Sequence, residues 1–197
     1  MMRRGAGAVA LIFIAAFAVP VQAANPLAGS SLTKGRWSSG WGVGAPVILD
    51  ADSLIFEEDT GIATAEGNVE VGFGNRSIRA DRIVYDTRTG EAELTGHVHY
   101  KDMGDEFSFD RIVLNIQSEL GVLYNGTIRL SSNNYQISSG MFEKVGEAKY
   151  RLSRGSITTC PCDPEPDWRF DVRKMEVDIN GYAKAKDVTF KVRGVPV

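Results

Sequence analysis

The feature that most constrains the fold of this chain is an internal repeat with a spacing of 29 residues. The segments ADSLIFEEDTGIATAEGNVEV, starting at Ala51, and ADRIVYDTRTGEAELTGHVHY, starting at Ala80, share an Ala-Asp opening, a Gly ten residues on and a second Gly before a final apolar stretch. A fixed period is typical of architectures in which similar units stack on one another. The repeat therefore predicts a stack of like units.

Apolar and polar residues alternate within each unit, and this alternation predicts β-strands. In the second unit Ile83 and Tyr85 precede a turn at Gly90, and Ala92 and Leu94 follow it. Strict alternation buries one face of a strand and exposes the other, and glycine supplies a positive φ where the chain reverses. Since no segment keeps a helical period, the predicted fold class is all-β, built from stacked antiparallel strand pairs with open ends.

A third copy begins at FDRIVLN and carries one extra residue near Gly121, which predicts a bulge there. Weaker copies start at Gly146 and Gly181. A single hairpin is marginal in water, whereas stacked hairpins cover one another's apolar faces. The stack is therefore expected to enclose one continuous apolar interior row, with these members: Leu54, Phe56, Val71, Ile83, Tyr85, Leu94, Val98, Tyr100, Ile112, Leu114, Ile128 and Leu130.

The first 23 residues predict a secretory signal peptide. Arg3 and Arg4 precede an apolar run over Ala8–Val19, and Val-Gln-Ala ends at Ala23. The run is too short to indicate a membrane span. Its removal leaves 20 of the 22 basic residues against 25 acidic ones, a mildly acidic chain without a basic stripe for nucleic acid. Residues 24–45, rich in Gly and Ser, are expected to form a flexible arm.

Sequence motifs of catalysis are absent. The chain contains no GxSxG, P-loop, GxGxxG or HExxH pattern, so neither an enzyme nor a cofactor is predicted. The two histidines, His97 and His99, fall on the solvent face, because Val98 and Tyr100 hold the apolar positions. Two histidines are too few to close a metal site, so no metal site is predicted.

Both cysteines, Cys160 and Cys162, lie in the segment TTCPCDPEPDW. Export places them in an oxidising compartment, and a Cys-x-Cys pair closes on itself only with strain. Two interpretations remain: two thiols in a Pro-rich turn, or disulfides to partners outside this sequence. The second is favoured, because free thiols rarely persist after export.

The recurring motif is Ala-Asp-x-Φ-x-Φ, then Thr-x-x-Gly-x-Ala, then Gly-x-Val, where Φ is apolar. It resembles the OstA-type domain of the lipopolysaccharide (LPS) transport proteins. The resemblance implies an OstA-type β-jellyroll over residues 46–159, a slightly open V that holds LPS acyl chains between its sheets. It also implies that the open end strands pair with the same fold in neighbouring proteins to bridge the periplasm.

The segment after the repeats, residues 160–197, resembles the connection to the transmembrane barrel in the outer-membrane member of this family. The matching positions are Thr159-Cys160, Asp167-Trp168, Gly181-Tyr182 and Gly194-Val195-Pro196. The resemblance implies that the barrel is missing from this chain. It also implies that Cys160 pairs with a cysteine in that barrel, with Cys162 as a second candidate.

The resemblance implies a module that receives LPS from a periplasmic bridge protein and passes its acyl chains to an outer-membrane barrel and its plug lipoprotein. The site would lie at the periplasmic face of the outer membrane. The alternatives are a free-standing LPS-binding bridge protein, a strand-pairing scaffold without lipid and an ordinary core. A carbohydrate-active solenoid is disfavoured, because no paired carboxylates lie on the interior row.

The free edge of the stack is expected at its N-terminal strand, where a partner strand would add through backbone hydrogen bonds. This strand has no lysine and no internal proline, and its edge residues are Val47, Ile48, Leu49 and Leu54. Two further sets of residues are expected to have structural or surface roles. The repeated aspartates should bind nearby backbone N–H groups at the turns: Asp52, Asp81 and Asp110. Three arginines should be solvated surface charges, with lipid phosphates as the alternative contact: Arg76, Arg79 and Arg82.

Overall fold

The computed structural model describes residues 32–39, 47–73, 76–102, 104–118, 120–131, 134–146, 149–160, 166–178 and 182–197. The predicted signal peptide at 1–23, most of the predicted arm at 24–45 and Cys162 lie outside the described residues. Within these ranges, no helix is long and apolar enough to cross a membrane.

The regular structure of the described residues is all-β, which confirms the predicted fold class. The strands are β1 (Leu32–Ser39), β2 (Val47–Glu57), β3 (Ile62–Phe73), β4 (Arg76–Asp86), β5 (Glu91–Asp102), β6 (Asp105–Asn115), β7 (Gly121–Leu130), β8 (Tyr135–Gly146), β9 (Lys149–Thr158), β10 (Trp168–Asp178), β11 (Ala183–Val192) and β12 (Val195–Pro196). They form one open antiparallel sheet in which every strand pairs with its neighbours in sequence. This order requires only short connections, as a repeat of hairpins dictates.

Each 29-residue unit is a hairpin with a glycine in its turn. Gly61 has a φ of 75° and Gly90 a φ of 74°, a conformation that residues with a Cβ rarely adopt. Asp86 starts the second turn, and its Oδ1 accepts hydrogen bonds from the backbone N–H groups of Arg88 at 2.8 Å and Thr89 at 3.2 Å. These bonds lower the pKa of Asp86 below its ordinary value. The turn chemistry of the sequence therefore sets the unit length.

The third unit differs from the expected bulge near Gly121. The β6–β7 pairing keeps one register from Glu106 opposite Arg129 to Leu114 opposite Gly121. The extra residue instead lies in the connection at 116–120, which is one residue longer than the connections after β2 and β4. A turn accommodates an added residue without breaking ladder hydrogen bonds, so the insertion lies there.

The strands bend near their centres, and this bend folds the sheet into two arms that face each other. In β4 the buried positions Ile78 and Ala80 are followed by Ile83, so the inward-facing set changes parity. The register shifts at the same level, between Arg79 and Arg82 in the β4–β5 pairing. An inserted residue in mid-strand bends the strand and increases its twist. We call this level of the sheet the corner.

The two arms enclose one apolar core. Phe109, at the corner of β6, packs edge-on against Phe142 in the other arm of β8, with ring centroids 5.6 Å apart. The largest fully buried side chains lie mainly on β4, β5 and β6: Tyr100, Ile78, Leu94, Ile112, Ile116, Val69 and Val98. A single sheet can bury residues this completely only when one arm covers the other.

The sheet also extends past the expected domain boundary at residue 159. Phe170 of β10 pairs with Ile157 of β9, and β11 pairs with β10 along its length. Val172 and Met175 are buried in the common core. Strands β10, β11 and β12 therefore continue the sheet, whereas the sequence predicted a connection over 160–197.

Candidate functional site

The predicted interior row faces the space between the arms. Most of it is buried in the core: Val71, Ile83, Leu94, Val98, Tyr100, Ile112 and Leu114. A second group is partly buried against that core: Leu54, Tyr85, Ile128 and Leu130. Phe56 differs, because 41% of it is exposed at the N-terminal end of the interior. Eleven of the twelve residues thus lie in the core or against it, and lipid contact stays a prediction.

The middle of the interior is closed by tight packing. Ile78, Leu94 and Ile112 have no exposed surface, and the Tyr100 and Phe107 rings lie 5.2 Å apart between centroids. Burial raises the pKa of Tyr100 well above its ordinary value. A lipid chain could enter this part of the interior only if the arms moved apart.

The interior is open at its C-terminal end, where apolar side chains reach solvent. Phe170 is 41% exposed, Val188 49% and Val192 40%, and the Phe170 and Phe190 ring centroids are 5.0 Å apart. Trp168 packs edge-on against Phe170 at 6.0 Å. We call these five residues the C-terminal patch. Contiguous exposed apolar surface of this kind typically marks an interaction site.

The N-terminal edge differs from the one expected from the sequence. β1 pairs along β2, placing Leu32 opposite Leu54, Trp37 opposite Leu49, Ser38 opposite Ile48 and Ser39 opposite Val47. The predicted free edge, β2, is therefore covered by a strand of the same chain, and β1 is the edge. The prediction missed this strand because LTKGRWSS lacks clear alternation, so it was assigned to the flexible arm. Binding of a partner at this end stays a prediction.

The C-terminal edge of the sheet is β11. β12 covers only its end, with Val195 opposite Val192 and Pro196 opposite Lys191. The remainder of β11, from Ala183 to Phe190, has no further strand beside it in the described part of the chain. An edge of this kind offers backbone donors and acceptors to another strand.

Cys160 is disulfide-bonded in the structure. Cys162, the other cysteine of the sequence, lies outside the described residues. The expected pairing of Cys160 with a cysteine outside this sequence stays a prediction. Cys160 follows directly on the sheet, since its backbone N–H donates to Thr158 Oγ1 at 3.0 Å.

The two histidines lie on the outer face, as predicted. His97 Nδ1 is 2.9 Å from Asp81 Oδ2, and Ser108 Oγ is 2.9 Å from His99 Nδ1. The hydrogen bond and charge of Asp81 raise the pKa of His97 above its ordinary value. Among the described residues, no group of three His, Cys, Asp or Glu side chains is placed to hold a metal ion.

The repeated aspartates lie at the corner, and this differs from the turn positions expected. Asn68 Nδ2 donates to Asp52 Oδ2 at 2.8 Å, so the carboxylate binds a side chain on the neighbouring strand. Its position explains the second Gly of the repeat: a Cβ on Gly67 would lie 2.5 Å from Asp52 Oδ2. Gly96 is equally close to the Asp81 carboxylate. The Ala-Asp and Gly positions of the repeat thus form one corner together.

All three arginines of the repeat form cross-strand ion pairs, and two of them, Arg79 and Arg82, are the exposed surface charges expected. Arg76 Nε lies 3.1 Å from Asp102 Oδ1 at the rim of the interior. The other two pairs are exposed on the outer face: Arg79 with Glu70 at 3.1 Å, and Arg82 with Glu66 at 2.7 Å.

Many residues of the core were not in the predicted interior row. The missed residues include Val69, Ile78, Phe107, Phe109, Phe142, Leu152, Val172 and Met175. Ile78 precedes the corner and Ile83 follows it, so a single alternation could not contain both. The sequence contains a sign of this parity change, because Ile78 and Ala80 fall on even positions before Asp81, whereas Ile83 and Tyr85 fall on odd positions after it.

Comparison with known proteins agrees with the motif resemblance. No protein-family model matches the chain. LPS-assembly protein LptD of Nitrosospira multiformis is 32% identical over 130 residues, 64% of this chain and 14% of the relative. The protein of the same name from Aliivibrio fischeri is 29% identical over 153 residues, 77% of this chain and 19% of the relative. In Acinetobacter baumannii the match is 24% over 187 residues, 88% of this chain and 22% of the relative.

Among solved structures, the chain is similar to the crystal structure of LptH, described as the LptA homologous periplasmic component of the conserved lipopolysaccharide transport device from Pseudomonas aeruginosa. It is 11% identical, covers 76% of this chain and 96% of its own chain, and has a TM-score of 0.31, too low to support an argument. The present chain spans between 14% and 22% of the length of the three LptD relatives above. Over most of its own length, this chain is related in sequence to the LPS-assembly proteins LptD.

Proposed function

We propose that this chain is a periplasmic module of LPS transport whose interior holds the acyl chains of LPS. The observation that carries the proposal is one apolar face that runs through the whole sheet, from Leu49 in β2 to Val192 in β11, and is open at both ends. The sequence relationship to LPS-assembly proteins supports the choice of ligand.

The way in which the two arms are joined supports entry of lipid between them. Backbone hydrogen bonds connect neighbouring strands only, so across the interior the arms meet through side chains. Apolar contacts are non-directional and depend on buried area. Contacts with acyl chains can therefore substitute for the side-chain contacts between the two arms. Each buried CH₂ contributes about 0.8 kcal/mol, so one chain of about ten carbons supplies roughly 8 kcal/mol toward parting the arms.

The open ends give the module a direction. LPS would arrive from the periplasmic bridge protein at the N-terminal end, beside Phe56, and leave over the C-terminal patch toward an outer-membrane barrel and its plug lipoprotein. With this direction of transfer, we propose that the module lies at the periplasmic face of the outer membrane. Shape and chain length would decide which lipids bind, because the interior row offers almost no polar groups.

Photo-crosslinking tests the proposal directly. A photo-reactive residue at Tyr85, Leu114 or Phe170 should crosslink LPS in cells, whereas the same residue at His99 on the outer face should not. Crosslinking of equal yield at His99 and Leu114 would overturn the assignment of the interior. Absence of LPS crosslinks at all interior positions would refute lipid binding and favour a scaffold role.

A strand-pairing scaffold is the second candidate, and the open edges β1 and β11 favour it. We propose that the bridge protein takes the N-terminal end, either by adding to β1 or by taking its place on β2. Removal of residues 32–39 separates these routes. Bridge binding should be lost if the partner adds to β1, and should become tighter if β1 competes with the partner. Unchanged binding would exclude this edge.

A further inference from the structure

At the corner of every hairpin, an outward side chain on the first strand faces an outward side chain on the second. In the repeats, the types of these two residues follow one rule. An acidic residue on the first strand of each hairpin faces a polar residue on the second. Asp52 binds Asn68 at 2.8 Å, and Asp81 binds His97 at 2.9 Å. These pairs lie on the outer face, separate from the interior, so a ligand bound along the row of pairs would be independent of the proposed lipid function.

The rule continues along the sheet in altered form. The register of β6 and β7 places Asp110 opposite Asn125, between the pairs Phe109–Gly126 and Arg111–Tyr124. In the last hairpin the charges are exchanged, since Arg173 Nη2 on β10 binds Asp187 Oδ2 on β11 at 2.7 Å. A carboxylate is therefore present in these corners as well.

The β8–β9 corner breaks the rule. Ser139 pairs with Gly155 and Met141 with Ser153, so Gly140 faces Arg154. Gly140 takes the place of the aspartate, and a Cβ added there would have Asn125 Oδ1, 3.9 Å away, as its nearest neighbour. Arg154 is thus left without the carboxylate that the other corners contain.

A second observation concerns the other side of Arg154. β9 and β10 pair Gly155 with Val172 and Ser153 with Lys174, which places Arg154 directly opposite Arg173. Like charges in directly opposite positions destabilise a sheet. Only Asp187 neutralises this pair, and in the described part of the chain no carboxylate forms an ion pair with Arg154.

The backbone of Arg154 is also unusual. Its φ is 56°, in the left-handed region. The equivalent corner residues with positive φ are those for which this region is least unfavourable: Asn68, His97, Asn125 and Asp187. Backbone strain that the fold maintains is commonly found at functional positions. An arginine is held here where the corner geometry favours Asn, Asp or His.

The surroundings of the two arginines suit a polar ligand. They line a cleft of about 900 Å³ on the outer face, together with the hydroxyls of Ser138 and Ser156. Three carboxylates line the cleft as well: Asp110, Asp171 and Asp187. Lys191 at 2.6 Å and Arg169 at 2.9 Å neutralise Asp171, and Asp187 is paired with Arg173.

We propose that Arg154 and Arg173 form a binding site for a phosphate-class dianion. The anion would occupy the space beside Gly140 and accept hydrogen bonds from Arg154. It would take the place that Asp52 and Asp81 hold in the first two hairpins, where they bind Asn68 and His97. A guanidinium binds phosphate through two parallel N–H donors, and a dianion between two guanidinium groups removes their repulsion. The phosphate could be free or carried on a lipid headgroup, since the chemistry recognised is the same.

The test is a titration of the full chain at about pH 8, where phosphate is mainly a dianion. Calorimetry with inorganic phosphate measures the free ion. Flotation with phosphatidylcholine vesicles, with and without phosphatidic acid, measures a headgroup phosphate. Arg154→Gln and Gly140→Asp should each weaken the interaction by roughly tenfold or more, because one removes a charged donor and the other supplies an internal carboxylate. Arg79→Gln, an ion-paired arginine on the same outer face, is the matched control and should not change it.

Binding of inorganic phosphate that depends on Arg154 would assign a free-ion site. Binding only to vesicles with phosphatidic acid, again dependent on Arg154, would assign a headgroup site. Equal losses in Arg154→Gln and Arg79→Gln would show that only general surface charge is sensed, and the proposal would be wrong. Failure of the unmodified chain to bind either probe would also overturn it.

Discussion

The middle of the interior and its two ends belong to the same continuous sheet, yet they differ in packing. Between β4 and β6 the arms touch, and Ile78, Leu94 and Ile112 have no exposed surface. At the ends Phe56 and Phe170 are each 41% exposed, although they occupy the same inward-facing row. Phe56 lies on β2 and Phe170 on β10, near the two ends of the sheet, where fewer strands lie beyond them than beyond the strands of the middle. The tightly packed middle therefore contributes most to the stability of the fold, and the ends leave apolar side chains exposed to solvent.

The largest expected effect comes from truncating the middle. Leu94→Ala should lower the free energy of unfolding by about 2–5 kcal/mol, because it opens a cavity among side chains that cannot collapse freely. Phe170→Ala should cost clearly less, since that ring is already partly solvated. Chemical denaturation of both variants measures the difference. Equal losses would remove the distinction between middle and end.

Adding one methyl group at the corner should have the next largest effect. In Gly126→Ala the new Cβ would overlap the Phe109 ring, which is fixed edge-on against Phe142. Overpacking of this kind typically costs about 1–3 kcal/mol. Gly72→Ala is the control, because a Cβ there has no atom within 4 Å. Thermal unfolding should separate the two variants, and a tolerated Gly126→Ala would mean that the arms shift more easily than the packing implies.

The same two regions show what the sequence could and could not predict. Alternation around Gly61 and Gly90 predicted hairpins and the inward face of β2–β7, because turn glycines and period-two patterns are local properties. The corner was missed, since the residue inserted at Asp81 changes the parity and one continuous alternation cannot contain both halves of the strand. β1 was missed because its pairing with β2 depends on backbone groups, which leave little trace in composition.

The C-terminal patch was missed for a different reason. Its aromatic residues come from β10 and β11, where the Ala-Asp motif is absent and the repeat can no longer be aligned. Phe170 and Phe190 are 20 positions apart and meet only because the two strands pair. In the β8–β9 hairpin, Gly140 carries no pattern by itself. Its role at the corner can be recognised only from the strand register, which places it opposite Arg154.

The comparison of buried and exposed sites also applies to the ion pairs between strands. Asp102→Ala should cost about 1–3 kcal/mol, because it removes the partner of Arg76 at a site where the carboxylate side chain is only 11% exposed. Glu70→Ala breaks the exposed pair with Arg79, whose side chains are 65% and 44% exposed. Exposed pairs contribute about 0–1 kcal/mol, so this second change should be small. Urea denaturation of the two variants, with and without added salt, checks both values.

The smallest effect is expected on the outer face, and it appears as a pH dependence. Asp81 raises the pKa of His97 in the folded chain, so folding favours the protonated imidazole. The stabilisation is complete below the unfolded pKa of about 6.5 and is lost as the pH rises through the higher folded pKa. His97→Asn keeps a side chain suited to the positive φ and able to donate to Asp81, as Asn68 does to Asp52. The variant should therefore match the wild-type melting temperature at about pH 8 and fall slightly below it at about pH 5.5. Because the side chain of His97 is 85% exposed, the difference should be far smaller than that of any interior variant. An identical pH profile in the two proteins would show that the Asp81 pair does not contribute to folding.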